Sequence, residues 1–241
     1  MTSSVDIRRG SDRGASRTEW LDSRHSFSFA GYYDPENTHH GLLLVNNDDI
    51  VAADAGFDTH PHRDMEIVTW VLEGALEHRD SMGNSGVIYP GLAQRMSAGT
   101  GVLHSEKNGS ASERVHLVQM WVVPDEAGID PGYQQVEIDD RGLTGGLMTI
   151  AAGRGDNAAV HLHNRNAALH AARIQPGQVV ELPDAPFLHL FVARGAVTLE
   201  GSGPLRDGDA ARFTGAGGQR VTATEPSEIL VWEMHADLAS A

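Results

Sequence analysis

Residues 56–66 read Gly-Phe-Asp-Thr-His-Pro-His-Arg-Asp-Met-Glu, and residues 99–108 read Gly-Thr-Gly-Val-Leu-His-Ser-Glu-Lys-Asn. Side chains two apart on a strand face the same way. His60 and His62 therefore present two imidazoles to one side, and His104 and Glu106 present an imidazole and a carboxylate likewise. If the two strands lie side by side in a barrel, all four groups converge. Three imidazoles and one carboxylate suit one divalent iron, manganese, nickel, copper, cobalt or zinc ion. A six-coordinate ion so held keeps positions open, which a catalytic metal needs. Pro61 between the histidines points to a strand start or an edge. A lone His-x-His is more often structural than metal-binding; the matching His-x-Glu downstream makes the pair a metal-site pattern. Glu66 shares parity with His60 and His62, so spacing alone leaves Glu66 and Glu106 as rival carboxylates.

Around these segments short apolar runs alternate with turn signals. Residues 41–45, 50–53, 65–72, 75–78, 93–97 and 115–123 read as strands, with turns at Asn46-Asn47-Asp48-Asp49, at residues 81–86 and at Pro90-Gly91. Residues 1–40 read as irregular, although Phe27 and Phe29 have the spacing to share one face of a short strand. Residues 124–146 are rich in acidic and turn-forming residues and read as a connector between two units.

The second half repeats the first. FLHLFVARG (187–195) matches EIVTWVLEG (66–74), and DGDAARF (207–213) matches PGLAQRM (90–96). Such a repeat implies one small β-barrel duplicated in tandem, as residues 1–135 and 136–241. Pairing Gly74 with Gly195, and Arg95 with Arg212, sets Glu181 and Pro183 against His60 and His62, and Val221 and Ala223 against His104 and Glu106. The second barrel is thus expected to hold no metal. A further His-x-His, His161 and His163 with His170 nearby, lacks a carboxylate partner motif and reads as structural.

Composition limits the function classes. Of 241 residues, 40% are hydrophobic and 21% charged, with 27 glycines, as for a globular all-β protein. A net charge of −15 disfavours direct binding to nucleic acid or anionic lipid. The absence of cysteine excludes disulfides and thiolate ligation and suits the cytoplasm. No apolar stretch is long enough for a transmembrane helix, and none near the start reads as a signal peptide.

The motifs also carry a resemblance. Gly56 with His60-x-His62, Glu66 and Gly74 resembles the first cupin motif, and Gly101-x-x-His104-x-x-x-Asn108 the second. More narrowly, HPHRDMEIVTWVLEG, EHRDSMGN, SAGTGVLHSEKN, WLDSRHSFSFAGYYDP (20–35) and HLVQMWVVP (116–124) resemble the pirin family, closely over residues 5–135 and weakly beyond. The resemblance implies an all-β bicupin of two tandem jelly-roll-like cupin barrels. It implies a metal, usually iron, on His60, His62, His104 and Glu106, which decides against Glu66.

Some bacterial pirins look like quercetin 2,3-dioxygenases, and a eukaryotic member acts as a transcriptional co-regulator. The expected activity is metal-dependent, Fe(II) opening of a flavonol ring by dioxygen with release of carbon monoxide. Glu106 would be both ligand and general base, and a small aromatic the substrate. Phe57, Met65, Leu103 and Trp121 are lining candidates, although each reads more readily as plain core, and His78 and Arg79 receive no role. The alternative is a non-enzymatic metal- or redox-sensing protein with a protein partner. A third option is another metal-cupin reaction, such as isomerisation or hydrolysis. An open pocket at the metal would favour an enzyme and a closed one the sensor.

Overall fold

The computed structural model describes residues 3–155 and 157–239, so the outermost ends of the two expected units lie outside the described residues. The strands of the first half are β1 Ser4–Arg8, β2 Gly14–Arg17, β3 Leu21–His25, β4 Leu43–Val51, β5 Gly56–His62, β6 Glu66–Glu73, β7 Leu76–Asp80, β8 Ser85–Ile88, β9 Leu92–Ser97, β10 Val102–Asn108, β11 Val115–Val122 and β12 Gly132–Glu137. A short helix, α1 Asp140–Thr144, is capped by the Asp139 side chain. The second half contributes β13 Met148–Ala152, β14 Val160–His161, β15 Ala167–Ile174, β16 Val179–Glu181, β17 Phe187–Arg194, β18 Ala196–Leu199, β19 Gly203–Arg206, β20 Ala210–Thr214, β21 Arg220–Ala223 and β22 Ser227–Met234.

Each barrel is a seven-stranded sheet facing a four-stranded one. The first has the orders β12-β9-β6-β11-β4-β3-β2 and β5-β10-β7-β8; the second has β1-β20-β17-β22-β15-β13-β14 and β16-β21-β18-β19. The strand orders correspond position by position, with one difference at an outer edge, where β14 runs parallel to β13 while β2 runs antiparallel to β3; the chain is thus an all-β bicupin and the internal repeat is structural. Gly74 and Gly195 show why the repeat is readable. Both have φ near +80° (77° and 80°), and a Cβ on either would meet a backbone oxygen within 2.5 Å, that of Arg114 or of Pro226. Only glycine fits such a turn.

The large sheets pack face to face. Trp70 and Leu72 of β6 share one buried core with Phe191 of β17 and with Leu230 and Trp232 of β22. Each buried aromatic removes roughly 150–250 Å² from water, on the order of 4–6 kcal/mol before entropy is counted. Two equivalent arginines tie the halves reciprocally. Arg95 Nε donates to the carbonyl of His161 at 2.7 Å, and Arg212 Nη2 donates to that of Ser26 at 2.7 Å while lying 4.3 Å over the Phe27 ring.

The structure corrects several readings. Asn46-Asn47-Asp48-Asp49 is no turn: β4 runs unbroken through it, because Asn47 and Asp49 face a cavity inside the barrel. Residues 1–40 contain three strands, whose polar faces hid them. Phe27 is core, but Phe29 lies outside any strand and lines that cavity. The connector holds β12 and α1, and β12 pairs with β9 as an edge strand. Division at residue 135 also cuts across the sheets: β1 joins the second barrel through β20, and β12 closes the same edge of the first.

Candidate metal centre

β10 lies between β5 and β7, and its pairing with β5 sets His104 directly opposite His60 and Val102 opposite His62. A bulge between His104 and Glu106 shifts the register, so Glu106 sits opposite Phe57 on β5 and opposite His78 on β7. Gly56 starts β5 where a Cβ would lie 2.3 Å from the carbonyl oxygen of Glu106, so the two strands can close only over glycine.

The rings of His60, His62 and His104 gather with centroids 4.4–4.8 Å apart. Their ligand atoms form one compact group, and His104 and Glu106 form a second with His78. Three of the four sequence-predicted residues, His60, His62 and His104, are thus brought together, whereas Glu106 groups with His104 and His78 and not with His60 or His62. Glu66, the rival, points elsewhere: it is buried, accepts from the His163 backbone N–H at 3.0 Å and stands 4.0 Å from Arg95 Nε. His161 and His163 lie at this interface, and His170 bonds Glu233 at 3.0 Å. None of the three belongs to a ligand group among the described residues.

Hydrogen bonds orient the ligand atoms. His60 Nδ1–H donates to the carbonyl of Asp58 at 2.7 Å, leaving Nε2 free to coordinate. His78 Nε2 faces Asp80 Oδ2 at 3.3 Å, and its Nδ1 faces His104 Nδ1 at 3.4 Å. The donor order that satisfies both has His78 donating to Asp80 and His104 donating to His78. His104 Nε2 then carries a lone pair, and it is buried without a hydrogen-bond partner, as is His62 Nε2. Two orphaned imidazole nitrogens beside a third are costly in a protein interior unless a cation meets them. Burial, with the neighbouring histidines adding to it, lowers His62 to about 4 and His104 to about 2, so both are neutral at physiological pH, as ligands must be.

Glu106 is fully enclosed, and burial raises it to about 7 against the opposing hydrogen bonds of Gln119. Gln119 Nε2 donates to both carboxyl oxygens at 2.9 Å, and Trp121 Nε1 in turn donates to Gln119 Oε1 at 3.1 Å. Sequence reasoning missed His78 and Gln119. His78 lies at the same parity as Asp80 in the strand after Gly74, but only the fold reveals its place behind His104.

A cavity of about 440 Å³ opens beside the cluster, lined by His60, His62, Glu106, Phe57, Trp121 and Phe29 among others. Of the lining candidates, Phe57 and Trp121 are on it. Met65 packs with Trp121 in a core cluster, and Leu103 is exposed on the outer surface.

Two cupin barrels in tandem, with a His/Glu cluster in the first, define the class: a bicupin equipped to hold a metal. The chain belongs to the pirin family, whose model matches residues 7–122; the model of the quercetinase C-terminal cupin domain matches residues 149–234. A relative from Mycobacterium tuberculosis that carries the provisional name quercetin 2,3-dioxygenase is 66% identical over 242 residues, covering 100% of this chain and 99% of that protein. The quercetin 2,3-dioxygenase of Escherichia coli K12 is 41% identical over 198 residues, covering 82% of this chain and 84% of that one. Among solved structures, the bacterial pirin YhhW of Escherichia coli in complex with nickel(II) superposes with a TM-score of 0.89. It is 35% identical and covers 97% of this chain and 100% of its own.

Proposed function

We propose that His60, His62, His104 and Glu106 hold one divalent metal ion, Fe(II) in the cell, and that the protein opens the ring of a flavonol such as quercetin with dioxygen, releasing carbon monoxide. The observation that carries this reading is the pair of buried, unpartnered Nε2 atoms of His62 and His104 at the edge of an open cavity. The nickel complex of the Escherichia coli relative and the names of the dioxygenase relatives support it.

When bound, the ion supplies Lewis acidity that lowers the pKa of a substrate hydroxyl. Glu106 takes the proton of the flavonol 3-hydroxyl, its carboxylate being held in place by the Gln119 amide. Gln119 steadies the carboxylate throughout. Phe57 and Trp121 supply apolar walls for a flat ring, while Asp58 and His78 keep His60 and His104 aimed. Neither Glu106→Gln nor the wild type loses the histidines, so the variant keeps some metal, and its turnover is expected to fall sharply. Unchanged turnover would remove Glu106 as the base.

Oxygen uptake and carbon monoxide release with quercetin, on metal-stripped protein reconstituted with ferrous ion, test the reading. Turnover that needs both the metal and His62, shown with His62→Ala, supports it. Absence of turnover with correctly loaded metal would favour the sensing role with a protein partner. Turnover of another aromatic without oxygen uptake would favour isomerisation or hydrolysis. The open cavity supports the enzyme over a sensor with a closed, fully ligated ion.

A further inference from the structure

The cavity has a second polar wall that the proposed chemistry does not use. β3 and β4 pair with Ser23 opposite Asp49 and His25 opposite Asn47, and all four residues are buried yet line the cavity across from β5 and β10. Ser23 Oγ donates to Asp49 Oδ1. His25 Nδ1–H donates to Asn47 Oδ1 at 2.9 Å, and its Nε2 accepts from Ser16 Oγ at 2.8 Å. These are costly groups to bury in the middle of a sheet, and packing alone would favour apolar residues there.

The cavity is also chemically one-sided. Asp49, Asp58 and Glu106 line the cavity, and no Lys or Arg does so among the described residues. A substrate carboxylate at this wall would meet no cation, whereas a neutral hydroxyl would meet an acceptor. A carboxylate accepts several hydrogen bonds, and Ser23 is the one side chain that donates to Asp49 among the described residues. Burial, foremost, raises Asp49 to about 7, in keeping with a carboxyl short of donors within the protein.

We propose that Asp49, positioned by Ser23, accepts a hydrogen bond from a second hydroxyl of the substrate, so that the cavity selects neutral polyhydroxylated aromatics over those whose only hydroxyl is the one at the metal. This rests on the flavonol reading and assigns its specificity to the wall opposite the metal cluster.

The test is anaerobic binding to the ferrous-loaded full chain, followed by flavonol absorbance, with quercetin and with 3-hydroxyflavone, which has the 3-hydroxyl alone. The variant is Ser23→Ala/Asp49→Leu, which replaces both hydrogen-bonding partners by apolar groups of similar shape and so tends to keep the fold. At pH 8, where Asp49 is mostly ionised, quercetin affinity is expected to fall roughly 10- to 100-fold, the worth of one hydrogen bond to a charged group, with 3-hydroxyflavone affinity and metal content unchanged. Asp49→Asn, which still accepts from Ser23, serves if the double variant does not fold, and is expected to give a smaller loss confined to quercetin. Equal loss for both flavonols, or none for either, overturns the proposal and leaves the flavonol reading standing. Failure of wild type to bind either one overturns both.

Discussion

The two barrels share one backbone plan and differ in what fills the same end. With Gly74 set on Gly195, the registers give the correspondence residue by residue. Glu106 opposes His78 in the first barrel, and Val221 opposes Leu199 in the second. Gln119 pairs with Thr69, and Val231 with Leu190. Asp49 falls where the second barrel has Ala172. His60 faces His104, whereas the N–H of Leu182 bonds the carbonyl of Gln219. Val221, Leu199, Val231, Leu190, Ala172 and Leu182 all belong to one buried apolar cluster. One barrel keeps a cavity with polar groups in its walls and the orphaned nitrogens; its twin seals the same space with hydrocarbon. A barrel of this size is stable when filled, so the unfilled one marks where function is held against packing.

The largest effect should come from forcing the twins to match. Val221→Glu places a carboxylate at the Glu106 position with Leu199, Leu190 and Val231 around it and no donor. An uncompensated buried charge costs about 3–5 kcal/mol, so the free energy of unfolding should drop by that amount and the denaturation midpoint should fall with it. Adding Val231→Gln, the counterpart of Gln119, should recover part of it. An unchanged midpoint in the single variant would mean that the second interior is wetter than its packing shows, and the contrast would fail.

These residues also show what was legible in the sequence. The clustering of His60, His62 and His104 was readable because period-two spacing survives any strand register, and the repeat because Gly74 and Gly195 are fixed by backbone contact. The counterpart assignments were not. The segment from Arg212 to Val221 is shorter than that from Arg95 to Glu106, so Val221 matches Glu106 and not His104, and Leu182 replaces Glu181 as the match for His60. Asn46–Asp49 misled for a functional reason: polar residues in a central strand look like a turn unless a cavity is known to need them. Tyr133 belongs to the connector. It sits in an acidic, turn-rich stretch, yet stacks on His78 with centroids 4.7 Å apart.

The next effect separates the barrels by pH. In the metal-free protein Glu106 lies near 7, raised from 4.5 chiefly by burial. Its proton must leave before the carboxylate coordinates, so below about 7 metal affinity should fall as much as tenfold per pH unit, and above it level off. His62 and His104 are already neutral in this range and add no slope there. For stability without metal the sign is opposite. The native state holds this proton more tightly than the unfolded chain, so the group's contribution is lost as pH rises from about 4.5 through about 7. Calorimetric titration at pH 6 and 8, in buffers of different ionisation enthalpy, should show proton release at pH 6 that Glu106→Gln abolishes. Identical slopes in the variant would separate Glu106 from the metal.

The smallest effect concerns the chain of donors behind that carboxylate. Trp121→Phe keeps the ring that packs at 4.8 Å against His62 but removes the N–H that Gln119 Oε1 accepts. The amide can then rotate, and Glu106 loses part of the fixed donation it receives at both oxygens. A hydrogen bond of this kind is worth about 1 kcal/mol net, so metal affinity should fall about fivefold, with the thermal midpoint of the metal-free protein nearly unchanged. The second barrel has no such chain, since Val231 stands where Gln119 does and offers nothing to orient. A larger loss of stability than of affinity would instead make Trp121 a packing residue. The polar character of the first barrel would then reside in the cluster alone and not in the wall behind it.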